Sequence, residues 1–190
     1  NDIDRNFCSL EVLECYDKIV VALENQGAII NIYNPPISYS DISNRMSSII
    51  ATEAYYHHGH LYKNKNNPMD EDVRFRVLSA RKTNASTYIE LLEEREKAEK
   101  LFLDSMQNFD VLVMPTTVGE APLRTEVDQS ISPGHFTRPF NYAGMCALSL
   151  QMGLSKNGLP LSLQVAARPY CEAITCQVGA FVERETKPIF

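Results

Sequence analysis

The sequence predicts an α/β fold in which part of a mixed β-sheet is flanked by helices. Three observations predict this class. Apolar residues at helical spacing alternate along the 190-residue chain with short runs rich in β-branched residues. A helix, a glycine and a strand-like run follow one another near the start, which is a common α/β unit. Two strand-like runs near the end are joined by an Asn-Gly turn. We therefore expect four or five strands among four or five helices.

The opening unit is a helix followed by a strand. Ser9 is a suitable N-cap, because its hydroxyl can accept a hydrogen bond from a free backbone N–H at the start of a helix. Apolar residues continue at helical spacing to Leu23, and Gly27 can end the helix by adopting a positive φ. Residues 28–33 are apolar and rich in isoleucine, so they predict a buried strand.

Three more helices are predicted in the next part of the chain. They cover residues 41–61, 70–80 and 86–108, and a polar loop at residues 63–68 separates the first two. The mixed charges of residues 93–100 indicate a solvated helix face with some i,i+4 pairs rather than a binding site.

The last third of the chain is predicted to contain most of the sheet. Residues 109–114 form the clearest strand, which a proline closes. A short helical turn is expected at residues 136–142. Residues 147–152 and 159–165 are two strands, and the Asn-Gly turn between them predicts an antiparallel hairpin. A final helix is expected at residues 172–183.

Several polar residues stand apart from these apolar patterns. The irregular stretch 116–133 is long for a loop, and long loops inside compact domains are often functional. His135 and Arg138 follow it, and each is a candidate for lining a pocket, although the sequence offers no evident partner for His135. For Arg74 and Arg76 the expected role is local ion pairing with Asp70, Glu71 or Asp72.

The composition is that of an ordinary globular protein, with 44% hydrophobic and 22% charged residues. The formal net charge of −6 does not favour nucleic acid or an anionic membrane as a partner. No apolar run approaches the ~20 residues that span a bilayer, and no signal-peptide pattern is present. The five scattered cysteines are expected to be reduced thiols in a cytoplasmic protein. The first residue, Asn1, leads us to expect a fragment or a processed product.

The sequence contains no recognisable nucleophile. Its eight glycines include no adjacent pair, and neither a Gly-x-Ser-x-Gly turn nor a glycine- and serine-rich segment is present. Ser149 and Ser162 alternate with leucines, which indicates packing within strands. Cys146 precedes a strand and is expected to be a structural thiol. We therefore assign no catalytic residue to this chain.

Metal binding is also not expected. His57 and His60 are three residues apart and could share a helix face, but no nearby cysteine or second histidine pair completes a ligand set. No CxxC pair is present. We predict no metal site and no cofactor.

Residues 109–183 contain an ordered series of motifs. They are Phe-Asp-Val-Leu-Val-Met-Pro-Thr (109–116), Phe-Thr-Arg-Pro-Phe-Asn-Tyr-Ala-Gly (136–144), Ala-Leu-Ser (147–149), Asn-Gly-Leu-Pro (157–160), Leu-Gln (163–164), Arg168-Pro169 and Glu172. Upstream stand Arg74-Phe75-Arg76-Val77, Tyr88 and Arg95. Each motif alone is weak, but their order and spacing are fairly specific, and in them the chain resembles the carboxy-terminal part of the amidase-signature family.

The resemblance implies that residues 1–190 are the carboxy-terminal portion of a single amidase domain. Members of the family hydrolyse amides through a lysine, a cis-serine and a nucleophilic serine, which lie in the amino-terminal half of the family's sequence. The expected partners are therefore a small-molecule amide and the missing amino-terminal half. The substrate-binding positions implied by the resemblance are Thr116, Phe136, Thr137, Arg138 and Asn141. Support of loops and sheet is the alternative role for these residues.

The chain also departs from the family's pattern. The family usually has proline where Cys146 and Gln151 stand, and often glycine where Ser162 stands. Losing proline changes local rigidity more than chemistry. These departures indicate a divergent member of the family.

Two alternatives remain open at this point. The chain could be a non-catalytic fragment that binds a partner through an exposed sheet edge. It could also belong to the glutaminase subunits of tRNA-dependent amidotransferases. Residues 136–144 resemble general amidases more closely, and the acidic substrate-binding position of the glutaminase branch aligns with Gly134, which cannot bind an ammonium group. If a sheet face is left uncovered, we expect a homodimer or aggregation.

Overall fold

The computed structural model describes residues 2–128 and 133–186, and it confirms the α/β class. The α-helices are α1 (Asp2–Arg5), α2 (Leu10–Asn25), α3 (Tyr39–Lys63), α4 (Glu71–Ser79), α5 (Ala85–Ser105), α6 (Arg138–Tyr142) and α7 (Glu172–Thr186). The strands are β1 (Leu112–Pro115), β2 (Cys146–Leu154) and β3 (Pro160–Ala167). Two short 3₁₀ turns lie at Ala80–Lys82 and Arg124–Glu126. Within these described ranges, no helix combines the length and apolar character that crossing a bilayer requires.

The three strands form an antiparallel sheet in the order β1-β3-β2. Met114 of β1 and Ser149 of β2 both pair with Gln164 of the central strand. The predicted hairpin is confirmed: β2 and β3 are joined by a tight turn in which Gly158 has a φ of 76°. The left-handed conformation at that position favours glycine.

Side chains of β3 alternate between two hydrophobic cores, as the period of a strand requires. Leu163 and Val165 face α2 and α7, whereas Gln164 and Ala166 face the opposite side, where α3, α5 and α6 pack. The first core also contains Val12, Ile19, Leu23, Met152, Leu161 and Val182. The second contains, among others, Tyr39, Ile42, Ile49, Ala98, Phe102, Met106, Leu112, Met114, Phe136, Phe140 and Tyr142.

The helices begin at polar caps. The Ser9 hydroxyl accepts a hydrogen bond of 3.3 Å from the backbone N–H of Val12, as the sequence predicted. Ser38, Asp70 and Asn84 cap α3, α4 and α5 in the same way. The predicted helices are therefore all present, and their ends differ from expectation by a few residues.

The predicted strand at residues 28–33 is wrong. This segment has no regular secondary structure, and Ile29 and Ile32 are 89% and 77% exposed. The segment is anchored at its two ends. The Ala28 backbone N–H donates to the Leu23 carbonyl at 3.1 Å, and the Tyr33 hydroxyl lies 2.7 Å from the Ser105 hydroxyl while the Tyr33 ring packs edge-on against Phe109. A strand needs a neighbour for its backbone N–H and C=O groups, and none of the three described strands pairs with this segment. The sheet in the described residues thus has three strands rather than four or five, and all of its pairs are antiparallel.

Candidate functional site

A polar cleft of about 300 Å³ lies where α3, α4 and α6 meet. Arg138 enters it from the start of α6, His135 from the preceding turn, and Arg76 from α4. The first turns of α3 form its remaining wall. The cleft is lined by Ser40, Ser43, Asn44, Ser47, Arg76, His135 and Arg138.

Arg138 is held against α3 by hydrogen bonds to neutral oxygen atoms. Its Nη1 donates to the Ser47 hydroxyl at 2.7 Å and to the Ser43 carbonyl at 3.3 Å. Burial lowers the pKa of the Arg138 guanidinium, and the positive charge of Arg76 lowers it further. The protein therefore brings two guanidinium groups together at some electrostatic cost.

His135 forms the base of the cleft. Its Nε2 lies 3.1 Å from Oδ1 of Asp4, and both side chains are largely buried. The imidazole ring also packs against Phe7, Tyr39 and Phe136. The sequence offered no partner for this histidine, because Asp4 is 131 residues away along the chain.

The structure separates the other predicted substrate-binding residues. Phe136 is buried and does not line the cleft, and its carbonyl oxygen accepts a 2.8 Å hydrogen bond from Nε2 of Gln164. Asn141 turns back onto its own helix, where its Nδ2 donates to the Thr137 carbonyl at 3.1 Å. Neither Thr137 nor Asn141 lines the cleft.

Thr116 lies on a different surface, at the end of β1. Its backbone N–H donates to the Ser162 carbonyl at 2.8 Å, and its hydroxyl is 2.8 Å from that of Ser149. Ser149 and Gln164 are register partners, so a band of polar side chains crosses this face of the sheet. Of the five predicted residues, only Arg138 therefore lines the cleft, and Thr116 belongs to the polar band.

No catalytic pair is assembled within residues 2–128 and 133–186. No hydroxyl or thiol there forms a hydrogen bond with His135, and the Thr116 and Ser149 hydroxyls bond each other rather than a base. Burial raises the pKa of the Cys8 thiol to about 11, which disfavours the nucleophilic thiolate. The same described residues contain no group of three or more His, Cys, Asp or Glu side chains that could hold a metal ion.

Arg76 and the serines of α3 are the cleft residues that sequence reasoning missed. Arg74 and Arg76 were both expected to pair locally, and the structure confirms this for Arg74, whose Nε donates to Glu71 at 2.9 Å. Arg74 also donates to the carbonyls of Tyr62, in the last turn of α3, and of Asn64 and Asn67, beyond its end. Arg76 lines the cleft instead. The two-residue spacing on α4 sends the two arginines to different sides of the helix.

Comparison with known proteins identifies the class to which this fold and cleft belong. The sequence model of the family described as Amidase matches residues 5–176. The chain therefore belongs to the amidase family.

The sequence relatives include proteins of two kinds. The chain is 28% identical over 201 residues to a glutamyl-tRNA(Gln) amidotransferase subunit of Ehrlichia ruminantium (strain Welgevonden), covering 93% of this chain and 41% of the relative. It is 31% identical over 134 residues to the fatty acid amide hydrolase of Arabidopsis thaliana, covering 66% of this chain and 22% of the relative. Both branches of the family thus match, and the preference for general amidases drawn from residues 136–144 stays a prediction.

Solved structures share the fold. A structure described as an amidase superposes with a TM-score of 0.81 at 20% identity, covering 95% of this chain and 43% of that one. The 6-aminohexanoate cyclic dimer hydrolase superposes with a TM-score of 0.75 at 21% identity, covering 94% and 42%. The chain spans about two fifths of the length of these structures and of the amidotransferase relative.

Proposed function

We propose that this chain is the carboxy-terminal part of an amidase domain, and that the complete protein hydrolyses the C–N bond of a carboxylic amide. The observation that carries the proposal is the family match over residues 5–176 in a chain that spans about two fifths of the amidotransferase relative and less of the fatty acid amide hydrolase. The rest of such a domain lies outside this chain, and we place the catalytic groups there.

The reaction follows from the chemistry of serine amide hydrolases. A lysine acts through a cis-serine to remove the proton of the nucleophilic serine, whose oxygen adds to the amide carbonyl. Backbone donors stabilise the resulting oxyanion. The C–N bond then breaks, the nitrogen leaves as ammonia or an amine with the transferred proton, and water hydrolyses the acyl-enzyme to the acid. In this proposal, all three catalytic residues belong to the amino-terminal half of the domain.

The contribution of this chain is scaffold and one wall of the substrate pocket. Arg138 lines the polar cleft, and Thr116 presents its hydroxyl on the sheet face beside Ser149. Phe136 joins the segment before Arg138 to the central strand through its hydrogen bond with Gln164. Thr137 and Asn141 complete the short helix that carries Arg138. We infer that these residues position the substrate and do not take part in bond making.

The proposal is tested by comparing this chain with the protein encoded by the complete gene. The gene is expected to encode, upstream of Asn1, a lysine followed by a glycine- and serine-rich segment. The complete protein should hydrolyse simple aryl or aliphatic amides, and alanine at the upstream nucleophilic serine should abolish that activity. The 190-residue chain alone should be inactive. Turnover by the chain alone that depends on one of its own residues would overturn the proposal, and a native start codon near Asn1 would favour the non-catalytic fragment.

A second candidate is the glutaminase subunit of a tRNA-dependent amidotransferase. The 28% identity to the Ehrlichia amidotransferase relative over 93% of this chain favours it. Gly134 counts against it, because a glycine offers no carboxylate to bind the ammonium group of glutamine. Co-purification of the complete protein with a second subunit, together with release of ammonia from glutamine, would establish this candidate in place of a general amidase.

A further inference from the structure

Two of the five cysteines meet at the turn that joins β3 to α7. The thiol of Cys146, the first residue of β2, donates to the Arg168 carbonyl at 3.2 Å and to the Ala167 carbonyl at 3.7 Å. The backbone N–H of Cys171 donates to the same Arg168 oxygen at 3.2 Å. The Cys146 sulfur is therefore at most twice 3.2 Å from the Cys171 backbone nitrogen. Both cysteines are half-buried.

The turn that carries Cys171 has a defined shape. Residues 168–171 form it, and proline at its second position fixes φ. Tyr170 at its third position has a φ of 64°, as a type II turn requires. Arg168 anchors the turn, because its Nη1 donates to the carbonyls of Met106 and Phe109 at 2.8 and 3.1 Å. The backbone of Cys171 is therefore fixed relative to the end of β3.

The two cysteines lie on facing sides of the boundary between the sheet and α7. Leu148, two residues after Cys146 on β2, packs against Gly179 of α7. Side chains two apart on a strand share a face, so the Cys146 side chain is on the face that α7 covers. On the helix side, Cys171 is four residues before Thr175, which is four before Gly179, and both later residues are buried.

We propose that Cys146 and Cys171 are a reversible oxidation site, and that they form a disulfide when the protein meets a peroxide. A disulfide needs its two Cα atoms within about 7 Å. Rotation of the Cys171 side chain and a small shift of the turn bring the two sulfurs together. Cys146 stands where the family pattern usually has proline, so this site is a property of the present chain. The inference does not depend on the amidase reaction.

The reaction balances with hydrogen peroxide as the oxidant. The Cys171 thiolate attacks one peroxide oxygen, so that an S–O bond forms, the O–O bond breaks and hydroxide leaves. The Cys146 thiolate then attacks the sulfenic sulfur, so that the S–S bond forms, the S–O bond breaks and a second hydroxide leaves. The two protons released by the thiols convert both hydroxides to water. Two thiols are thus oxidised and one peroxide is reduced to two waters.

We assign the first attack to Cys171, because the proton of Cys146 is engaged by the Arg168 carbonyl. Dimedone, which traps sulfenic acids, should therefore label Cys171 in the variant Cys146→Ala faster than it labels Cys146 in Cys171→Ala. The reverse order would overturn this assignment.

The direct test maps the cross-link in the complete protein and needs no turnover. The protein is treated with a small excess of hydrogen peroxide, the remaining thiols are blocked with iodoacetamide, and the protein is cleaved after glutamate for mass spectrometry without reduction. Because Glu172 stands between Cys171 and Cys176, this cleavage separates those two cysteines. The expected product is the Cys146 peptide linked to the Cys171 peptide, and dithiothreitol should release it.

Variants and unfolding provide the controls. Cys146→Ala and Cys171→Ala should each abolish the linked peptide, whereas Cys176→Ala, which removes an exposed thiol on the same helix, should preserve it. In concentrated urea the yield of this pair should fall at least about tenfold, because the unfolded chain no longer provides its high effective concentration. Absence of the link, a link from Cys146 to Cys176 in its place, or an equal yield in urea would overturn the inference.

Thermal unfolding gives an independent measurement. The disulfide closes the loop 146–171, which restricts the unfolded chain, so the oxidised protein should have a Tm a few degrees higher than the reduced protein. The same peroxide treatment should leave the Tm of Cys171→Ala unchanged. A lower Tm in the oxidised protein would show that the native geometry does not accommodate the disulfide, and would overturn the inference.

Discussion

Nε2 of Gln164 donates a 2.8 Å hydrogen bond to the carbonyl oxygen of Phe136, and this bond joins the central strand to the segment that carries the cleft residues. Gln164 is only 3% exposed, and Phe136 is equally buried. Among the described residues, no other hydrogen bond from a β3 side chain reaches residues 135–138, so this buried amide is the polar link between the central strand and the segment that carries Arg138.

Replacing Gln164 should destabilise the protein. Gln164→Met keeps the length of the side chain but leaves the Phe136 carbonyl buried without its donor, which costs about 1–3 kcal/mol. The free energy of unfolding, measured with urea, checks this expectation. The matched control is Gln151→Met on β2, because the Gln151 side chain is half-buried and forms no hydrogen bond within the described residues. Equal stability of the two variants would contradict the role of the Gln164 amide.

Arg95 should stabilise the carboxy-terminal end of α6, the helix that carries Arg138. Its Nε donates to the Tyr142 carbonyl at 2.9 Å and its Nη2 to the Asn141 carbonyl at 3.4 Å. The Arg95 side chain, which extends from α5, therefore provides hydrogen bonds to carbonyl groups at the end of α6 that have no partner within that helix. Arg95→Ala should lower the free energy of unfolding by about 1–2 kcal/mol, since hydrogen bonds from charged donors are stronger than neutral ones. Lys97→Ala on the exposed side of α5 should change it by less than about 0.5 kcal/mol. Similar losses in both variants would show that the Arg95 contacts are dispensable.

The exposed isoleucines of residues 28–33 should promote self-association of the isolated chain. Ile29 and Ile32 expose 89% and 77% of their surface in a segment whose backbone pairs with no described strand. The double change Ile29→Lys and Ile32→Lys should therefore raise the fraction of monomer seen by size-exclusion chromatography with light scattering. Leu123→Lys, which removes another exposed apolar side chain, serves as the control and should have little effect. A wild-type chain that is a compact monomer would refute the expectation.

Cys8 should react slowly with alkylating reagents at neutral pH. Burial raises its pKa to about 11, so at pH 7.5 its thiolate fraction is below about one in a thousand. Cys176 is exposed and should be alkylated by iodoacetamide first, as peptide mass mapping would show. Because only the thiolate reacts, the alkylation rate of Cys8 should increase about tenfold for each unit by which the pH is raised, as long as the pH stays below the pKa of Cys8. Labelling of Cys8 as fast as Cys176 at pH 7.5 would contradict the buried environment.

Local signals made much of the fold predictable. The Ser9 cap and the Asn-Gly turn each depend on a few adjacent residues, and both predictions are confirmed. The strand predicted at residues 109–114 is present but shorter, at Leu112–Pro115, and Pro115 is its last residue rather than the residue that closes it. The strand at residues 28–33 failed for a physical reason. The apolar pattern of these residues indicates a propensity for β-strand, but a strand forms only when another strand pairs with its backbone. None of the described strands pairs with residues 28–33.

The cleft was less predictable, because it depends on contacts between residues far apart in sequence. Arg138 and His135 were both candidates for lining a pocket from their place after the irregular stretch, and the resemblance also indicated Arg138. The His135–Asp4 pair, however, spans 131 residues and has no local signature. Arg76 was assigned a local ion pair, since acidic residues precede it on the same helix. The structure is needed to show that Arg74 forms the ion pair with Glu71, whereas Arg76 lines the cleft.

The strand order has a consequence for the time course of folding. The strands β2 and β3 are joined by a tight turn, whereas Met114 of β1 pairs with Gln164, which is about 50 residues away along the chain. Closing the longer loop costs about 2 kcal/mol more entropy than closing a five-residue turn. The hairpin should therefore form early, on the microsecond scale of such elements. The pairing of β1 with β3 then becomes the slow step that sets the folding rate. The two hydrophobic cores on either face of β3 are completed in that step.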